Sequence, residues 1–352
     1  MNRLETDFIK TLKKKQTSTI PLYCPGYPEM EFLEQYQNLY KPEINNKNLI
    51  LNEKNYELIK KMGFNAISLW DFRRGEGGYQ INKRLRVDGW GRIYRNNWYQ
   101  WDGVFKDEKT IDNWEHLRLP AKEYLKKFEI ILPYLKKELD IILSLPGLFE
   151  KTWQSMGLIH FSKCLKKNNL SLIEKVIEFF SEYIKNLIIA LTKIGVNLFI
   201  IADDCGYKNN EFIPKATWKK LFFENYRIMT NFIHNQNDLI ILHSDGYISN
   251  LIDVFIDIGF DAIQGLEPNA GVDIFSLFKK FSDKITFIGN LDISFLIYGN
   301  PIQIKNYVIK LITKAKESNT PLIISPTQQI NALVKPENIR SMITTTKYYQ
   351  IR

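Results

Sequence analysis

Cysteine is scarce in this 352-residue chain: only Cys24, Cys164 and Cys205. Three scattered thiols cannot build a disulfide framework, so a reducing, cytoplasmic setting is expected. No apolar run approaches the roughly 18 residues of a membrane span, and a membrane role is not expected. The stretch from Met1 to Lys15 is charged and lacks the apolar core of a secretion signal. No Gly-x-Gly-x-x-Gly turn, Walker loop, Gly-x-Ser-x-Gly elbow or His-Glu-x-x-His helix is present, which removes the commonest nucleotide, serine-hydrolase and metalloprotease signatures. What is present is an ordinary globular balance. Apolar residues make up 45% and charged residues 25%, too apolar for disorder over most of the chain. Lysine and arginine exceed acidic residues by 48 to 39, giving a net charge of +9. The lysines are spread along the chain with no basic stripe or zinc finger, so nucleic acid is not an expected partner.

Eight short β-branched or apolar runs alternate with segments of helical period. They are Ile20–Cys24, Asn65–Trp70, Ile141–Leu145, Asn197–Ala202, Leu239–His243, Ala262–Leu266, Ile285–Gly289 and Leu322–Ser325. Continuous apolar strands are buried on both faces, as in a parallel sheet covered by helices. Eight such alternations predict an α/β fold, a single (β/α)8 barrel spanning residues 1–352. A doubly wound open sheet is the alternative. In a barrel, the C-terminal ends of the strands form the active face. Here those ends carry Asp71, Asp203, Asp204, His243, Asp245, Glu267 and Asp292. Each one alone is explained by a cap or a turn, but their recurrence points to an acidic rim with one histidine.

An insertion at residues 72–119 breaks the rhythm after the second strand. It holds four of the seven tryptophans, Trp90, Trp98, Trp101 and Trp114, interleaved with Arg73, Arg74, Arg84, Arg86, Arg92 and Arg95. The stretch Val87–Trp101 alternates as a β-hairpin turning at Asn96-Asn97. It reads as a lid over the barrel mouth. Planar arginine forks beside aromatics such as Trp90 and Tyr94 suit a planar ligand bearing carboxylate or phosphate. The competing reading is an aromatic plug or a dimer contact.

The C-terminal half resembles the uroporphyrinogen decarboxylase superfamily. The stretches that carry the resemblance are His243-Ser244-Asp245-Gly246, Gly259-Phe260-Asp261-Ala262-Ile263 and Glu267-Pro268-Asn269-Ala270-Gly271. Phe287-Ile288-Gly289-Asn290-Leu291-Asp292, Tyr298-Gly299-Asn300-Pro301 and Ile324-Ser325-Pro326-Thr327 continue it, and Gly63–Asp71 looks like the family's second strand. The resemblance implies a single barrel and one of two activities. One is decarboxylation of uroporphyrinogen or another polycarboxylate, with Asp71 as catalytic aspartate and no cofactor. The other is methyl transfer between a cobalamin-carrying partner protein and a small acceptor, with zinc activating the acceptor. A non-catalytic binding barrel is the third possibility.

The departures shape the expectation. The segment Pro21–Met30 carries no arginine, although the decarboxylase needs arginines there. The position of the decarboxylase's last histidine reads Thr327-Gln328-Gln329. The methyltransferase's His-x-Cys pair appears as His243 and Asp245, with Gln328 near the place of the distant cysteine. Methyl transfer is therefore expected, with catalytic Asp71, His243 and Asp245. Zinc would be held by His243, Asp245 and Glu267. Arg73, Arg74, Arg92, Arg95, Trp90, Tyr94, Asp203, Asp204 and Gln328 would bind substrate. The expected partners are a small-molecule substrate and a corrinoid protein, with a homodimer possible by family analogy.

Overall fold

The computed structural model describes residues 5–40, 53–69, 77–115, 133 and 139–349. Eight parallel strands form one sheet. In spatial order they are β1 (Tyr23–Cys24), β2 (Ala66–Leu69), β7 (Asp140–Pro146), β8 (Leu198–Ala202), β9 (Leu239–Ser244), β10 (Ala262–Gly265), β11 (Thr286–Leu291) and β12 (Leu322–Pro326). Sheet order follows chain order. The edges meet where Leu22 bridges Ile324 in parallel and the Ile324 N–H donates to the Pro21 carbonyl at 2.9 Å. All eight expected runs are strands, and the open-sheet alternative is excluded by this closure.

Side chains alternate across each strand, so one set faces the barrel axis and the other the helices. Two apolar clusters show this division. Ile142, Ile200, Ile241, Ala262, Ile288 and Ile323 belong to the inner set, with Tyr23 and Ala66. Leu143, Ile201, Leu242, Ile263, Phe287 and Ile324 join the larger cluster against the helices. The short helix Asp7–Leu12 adds Phe8, Ile9 and Leu12 to the inner set. It lies at the N-terminal end of the strands, where Thr6 donates to Asp140, the first residue of β7. One end of the barrel is thus plugged, leaving the C-terminal end for function.

The insertion forms a four-stranded antiparallel sheet of β3 (Gly78–Gln80), β4 (Leu85–Asp88), β5 (Arg92–Arg95) and β6 (Trp98–Gly103). The turn at Asn96-Asn97 is where alternation placed it, with Arg95 paired to Trp98 and Asn96 at φ 55°. The strand before it differs from expectation. Val87 and Asp88 end β4, and the chain reverses through Gly89, Trp90 and Gly91 before β5. Asp88 drives this reversal: its carboxylate accepts from the N–H groups of Trp90 and Arg92, satisfying donors the turn leaves unpaired.

The insertion sheet docks on the helix Leu148–Met156, which follows β7. Phe105 N–H donates to Ser155 O at 2.9 Å, and Tyr99 Oη donates to Gln154 O at 3.0 Å. Trp101 stacks on Trp153, which in turn stacks on Phe212 from the segment after β8. No helix among the described residues is long and apolar enough to cross a membrane.

Candidate functional site

The inward set of residues changes character toward the C-terminal ends. Two residues beyond inward Ile241 stands His243, two beyond Ala262 stands Gln264, and two beyond Ile142 stands Ser144. Asn290 and Ser325 follow Ile288 and Ile323 in the same way. An apolar inner layer therefore gives way to a polar one. His243 and Gln264 are register partners across β9 and β10.

His243 is buried, and its Nδ1 bonds to Gln264 Oε1. The Gln264 amide nitrogen donates to Thr327 O at 2.9 Å and Pro326 O at 3.3 Å, which fixes the oxygen toward the imidazole. The proton of neutral His243 must then sit on Nδ1. Nε2 turns its lone pair toward Asp245 Oδ1 at 3.6 Å and Asp204 Oδ1 at 3.9 Å.

The loops after β8 and β9 bring these carboxylates together. They touch backbone to backbone at Gly206 and Gly246, where a Cβ on either would come within 2.6 Å of the other's main chain. Asp245 N–H donates to Asp204 Oδ1 at 2.9 Å, and Tyr247 N–H to Tyr207 O at 2.8 Å. Ligand atoms of Asp204, His243 and Asp245 all lie within 4.8 Å of one another.

Electrostatics follow from this crowding. Burial raises the Asp245 carboxyl to about 7, helped by the charges of Asp204 and Glu267 and opposed by His243 and Gln328. Burial works against a charged His243, yet Asp245 and Asp204 outweigh it and raise its pKa. Asp245 Oδ1 is buried with no hydrogen-bond donor among the described residues. Two carboxylates and an imidazole lone pair converging on one point call for a cation there, either a proton or a metal ion.

Glu267 does not join that set. Its carboxylate accepts from Gly246 N–H at 2.7 Å and from Gln328 Nε2 at 2.8 Å. Gln328 also donates to Asp245 Oδ2 at 3.1 Å, so it braces both carboxylates. Asp204 stands in the close group where the sequence suggested Glu267. Asp203, expected beside the substrate, is fully buried. It accepts from Phe149 N–H, Glu150 N–H and the Tyr226 hydroxyl, anchoring the start of the Leu148–Met156 helix. Gly147 makes room for it, since a Cβ there would lie 2.2 Å from the Asp203 carboxyl. Asp292 caps the helix Ile293–Tyr298. Cys205 is buried, which holds its thiol well above the usual range and excludes it as a ready thiolate. Asp71, Arg73 and Arg74 lie outside the described residues.

A cavity of about 390 Å³ lies beneath the insertion sheet. Its floor includes Ser144–Pro146 and Ala202, and its roof Arg86, Asp88, Trp90, Arg92 and Tyr94. Ala202 is in register with His243 on the neighbouring strand. Arg92 lines the cavity but is paired to Asp88 at 2.7 Å, whereas Arg95 is exposed near the hairpin turn and does not line it. Glu150, Lys151 and Gln154 complete the wall, and all three escaped sequence reading. Burial raises the Glu150 carboxyl to about 7 against the pull of Lys151, with Asp204 and Asp203 pushing the same way as burial. Their signal was positional: they fill the first turns of the helix after β7, at the rim of the barrel.

Comparison with known proteins agrees with this architecture. The profile of the family described as uroporphyrinogen decarboxylase (URO-D) matches residues 118–349. No curated protein matches the chain. Among solved structures, a methyltransferase from Methanosarcina mazei is similar in fold, with 15% identity, 99% of each chain covered and a TM-score of 0.71. A family 89 glycoside hydrolase from Clostridium perfringens is 12% identical with a TM-score of 0.45, covering 96% of this chain and 38% of that one. A sugar phosphate isomerase/epimerase from Parabacteroides distasonis is 10% identical, covering 93% and 96%, with a TM-score of 0.45. The closed eight-stranded barrel, its polar C-terminal rim and the match over residues 118–349 place this chain in the uroporphyrinogen decarboxylase family.

Proposed function

We propose that this protein is a methyltransferase, moving a methyl group between a corrinoid carried by a partner protein and a small acceptor. The observation that carries the reading is the convergence of His243 Nε2, Asp204 and Asp245, where Asp245 Oδ1 accepts no hydrogen bond among the described residues. A donor set of one imidazole and two carboxylates suits zinc or another divalent cation of borderline hardness. When bound, such an ion would lower the pKa of an acceptor thiol and favour its thiolate.

The chain's own residues then have separable roles. Gln264 holds the His243 tautomer, and Gln328 keeps Asp245 and Glu267 in place. Asp204, Asp245 and His243 hold the cation. Glu150, on the cavity wall, titrates near neutrality and takes up the proton the acceptor releases. The insertion sheet covers the cavity and limits water. A volume of about 390 Å³ fits a small acceptor, near the lower end of the roughly 300–1,000 Å³ typical of ligand pockets.

The cationic groups Arg86, Arg92 and Lys151 also favour a second reading, decarboxylation of a polycarboxylate without metal. One experiment separates the two. Methylcobalamin and a thiol are incubated with the protein and demethylation is followed by absorbance; uroporphyrinogen is assayed in parallel for carboxyl loss. Demethylation abolished by His243→Ala, with metal content falling alongside, supports methyl transfer. Carboxyl loss insensitive to His243→Ala, without demethylation, overturns it in favour of decarboxylation.

A further inference from the structure

Outside the insertion, the described residues include two arginines, Arg227 and Arg340. Arg227 pairs with Glu224, three residues before it, at 2.9 Å. Arg340 has Glu337 at the same spacing on the helix Pro336–Tyr348, yet it forms no ion pair among the described residues. Its guanidinium turns instead over the ring of Tyr40, 4.3 Å from the centre, at the end of the helix Met30–Tyr40. Lys61 behaves alike. Glu57 stands one turn before it on the helix Glu53–Met62, and among the described residues Lys61 pairs with no carboxylate. Lys347 lies on the same helix as Arg340, seven residues on, and folds its ammonium against the main chain at Gly63. A Cβ on that glycine would lie 2.4 Å from Lys347 Nζ. All three cations line one cavity of about 290 Å³ together with Tyr36 and Tyr40, and no acidic side chain among the described residues lines it. Burial raises the Tyr36 hydroxyl pKa against the charge of Arg340, which keeps this hydroxyl a neutral donor.

Three like charges gathered in one hollow repel one another and raise the local positive potential, and an anion between them reverses that balance. A guanidinium lying flat on an aromatic ring keeps its in-plane N–H groups for an oxyanion, and the lysines add point charges. The geometry points to a binding site for a phosphate group on this flank of the barrel, held by Arg340, Lys61 and Lys347. A dianion answers three cations better than a single carboxylate does. The cavity lies just below the roughly 300 Å³ at which ligand pockets begin, so it admits phosphate alone or with a short carbon stem. Lys61 and Met62 end the helix that leads into β2, which places the site toward the N-terminal ends of the strands, away from His243. It is separate from the cavity beneath the insertion sheet and does not depend on the methyl-transfer reading.

The test measures binding of inorganic phosphate, glycerol 3-phosphate and acetate to the full chain by calorimetry, at constant ionic strength because salt screens exposed charges. Phosphate or its ester should bind saturably, and acetate about tenfold more weakly or less. Arg340→Gln and Lys61→Gln should each weaken phosphate binding by about tenfold. Both side chains are exposed, so these variants keep the fold, with circular dichroism as the control. Glycerol 3-phosphate binding as tightly as phosphate assigns the site to a small ester; phosphate binding without the ester assigns it to the free ion. Acetate binding as tightly as phosphate, or phosphate affinity unchanged in both variants, overturns the inference. Phosphate binding that survives both variants and falls in Lys151→Met belongs to the cavity beneath the insertion sheet, and overturns it as well.

Discussion

Gln264 accepts a hydrogen bond from Nδ1 of His243 while its own amide nitrogen is held by two backbone carbonyls at the end of β12, those of Pro326 and Thr327. The glutamine therefore decides which imidazole nitrogen carries the proton and which faces Asp204 and Asp245. Partners of this kind orient metal-binding histidines and raise their basicity. Gln264→Leu should retain the fold and lower affinity for zinc about 10- to 100-fold. Competitive chelator titration measures it, with circular dichroism as the fold control. Unchanged zinc affinity would show that the tautomer is set elsewhere.

Gly246 lies at φ 81° with the Gly206 backbone 2.6 Å from where its Cβ would sit. Gly246→Ala should force apart the loops that bring Asp204 against Asp245. Metal content after purification without chelators should drop to the level of His243→Ala, while the unfolding midpoint moves little. Retained metal would mean that the loops close without this contact.

Asp203 accepts from two backbone N–H groups and the Tyr226 hydroxyl in a fully buried position. Asp203→Asn replaces one acceptor by a donor and should destabilise the protein by about 1–3 kcal/mol in urea unfolding. Burial raises this carboxyl to about 6, despite Tyr226 and the backbone N–H groups acting the other way. A folded pKa above the unfolded value near 3.9 means stability fully present below that value and lost as pH rises. The wild-type advantage over Asp203→Asn should thus be largest near pH 4 and shrink up to about pH 6, then level off. An advantage that grows over this window would contradict the assignment.

His234 Nε2 lies 3.1 Å from Asp261 Oδ2, and this bond raises its pKa above the usual value despite partial burial. The stabilisation is fully present below about pH 6.5, the unfolded value, and is lost as pH rises through the higher folded value. Nuclear magnetic resonance should show His234 titrating above 6.5. Unfolding curves for wild type and His234→Asn should differ more at pH 6 than at pH 9. A difference that is constant with pH would exclude charge on His234 as its source.

Much of the barrel was legible because the pattern is local. Apolar runs such as Asn197–Ala202 and Leu239–His243 announce buried strands, found at Leu198–Ala202 and Leu239–Ser244, and their count and spacing imply a closed parallel sheet. The Asn96-Asn97 turn was legible for the same reason, since two turn residues separate two alternating stretches. The break at Gly89–Gly91 was not, because Asp88 continues the alternation while its side chain ends the strand.

The residues at the barrel mouth divide along the same line. His243 stands out in sequence as the one histidine at a strand end, with Asp245 two residues beyond it. Sequence reading favours Glu267 over Asp204 beside His243 and Asp245, whereas the tertiary structure puts Asp204 there. Gly206 and Gly246 pull Asp204 toward His243, while Gln328 and the Gly246 N–H occupy Glu267. Asp203 and Asp204 are neighbours in sequence, yet alternation on an extended strand end sends one into the wall and leaves the other by His243. Gln264, Glu150 and Lys151 were missed because nothing in their local sequence marks them. Their chemistry comes from burial and from partners on other strands, and those depend on how the barrel closes. Periodicity, a local property of the chain, determined the eight strands and the end at which function sits; the choice among carboxylates, the histidine tautomer and the buried lysine were decided by long-range contacts that no stretch of sequence contains.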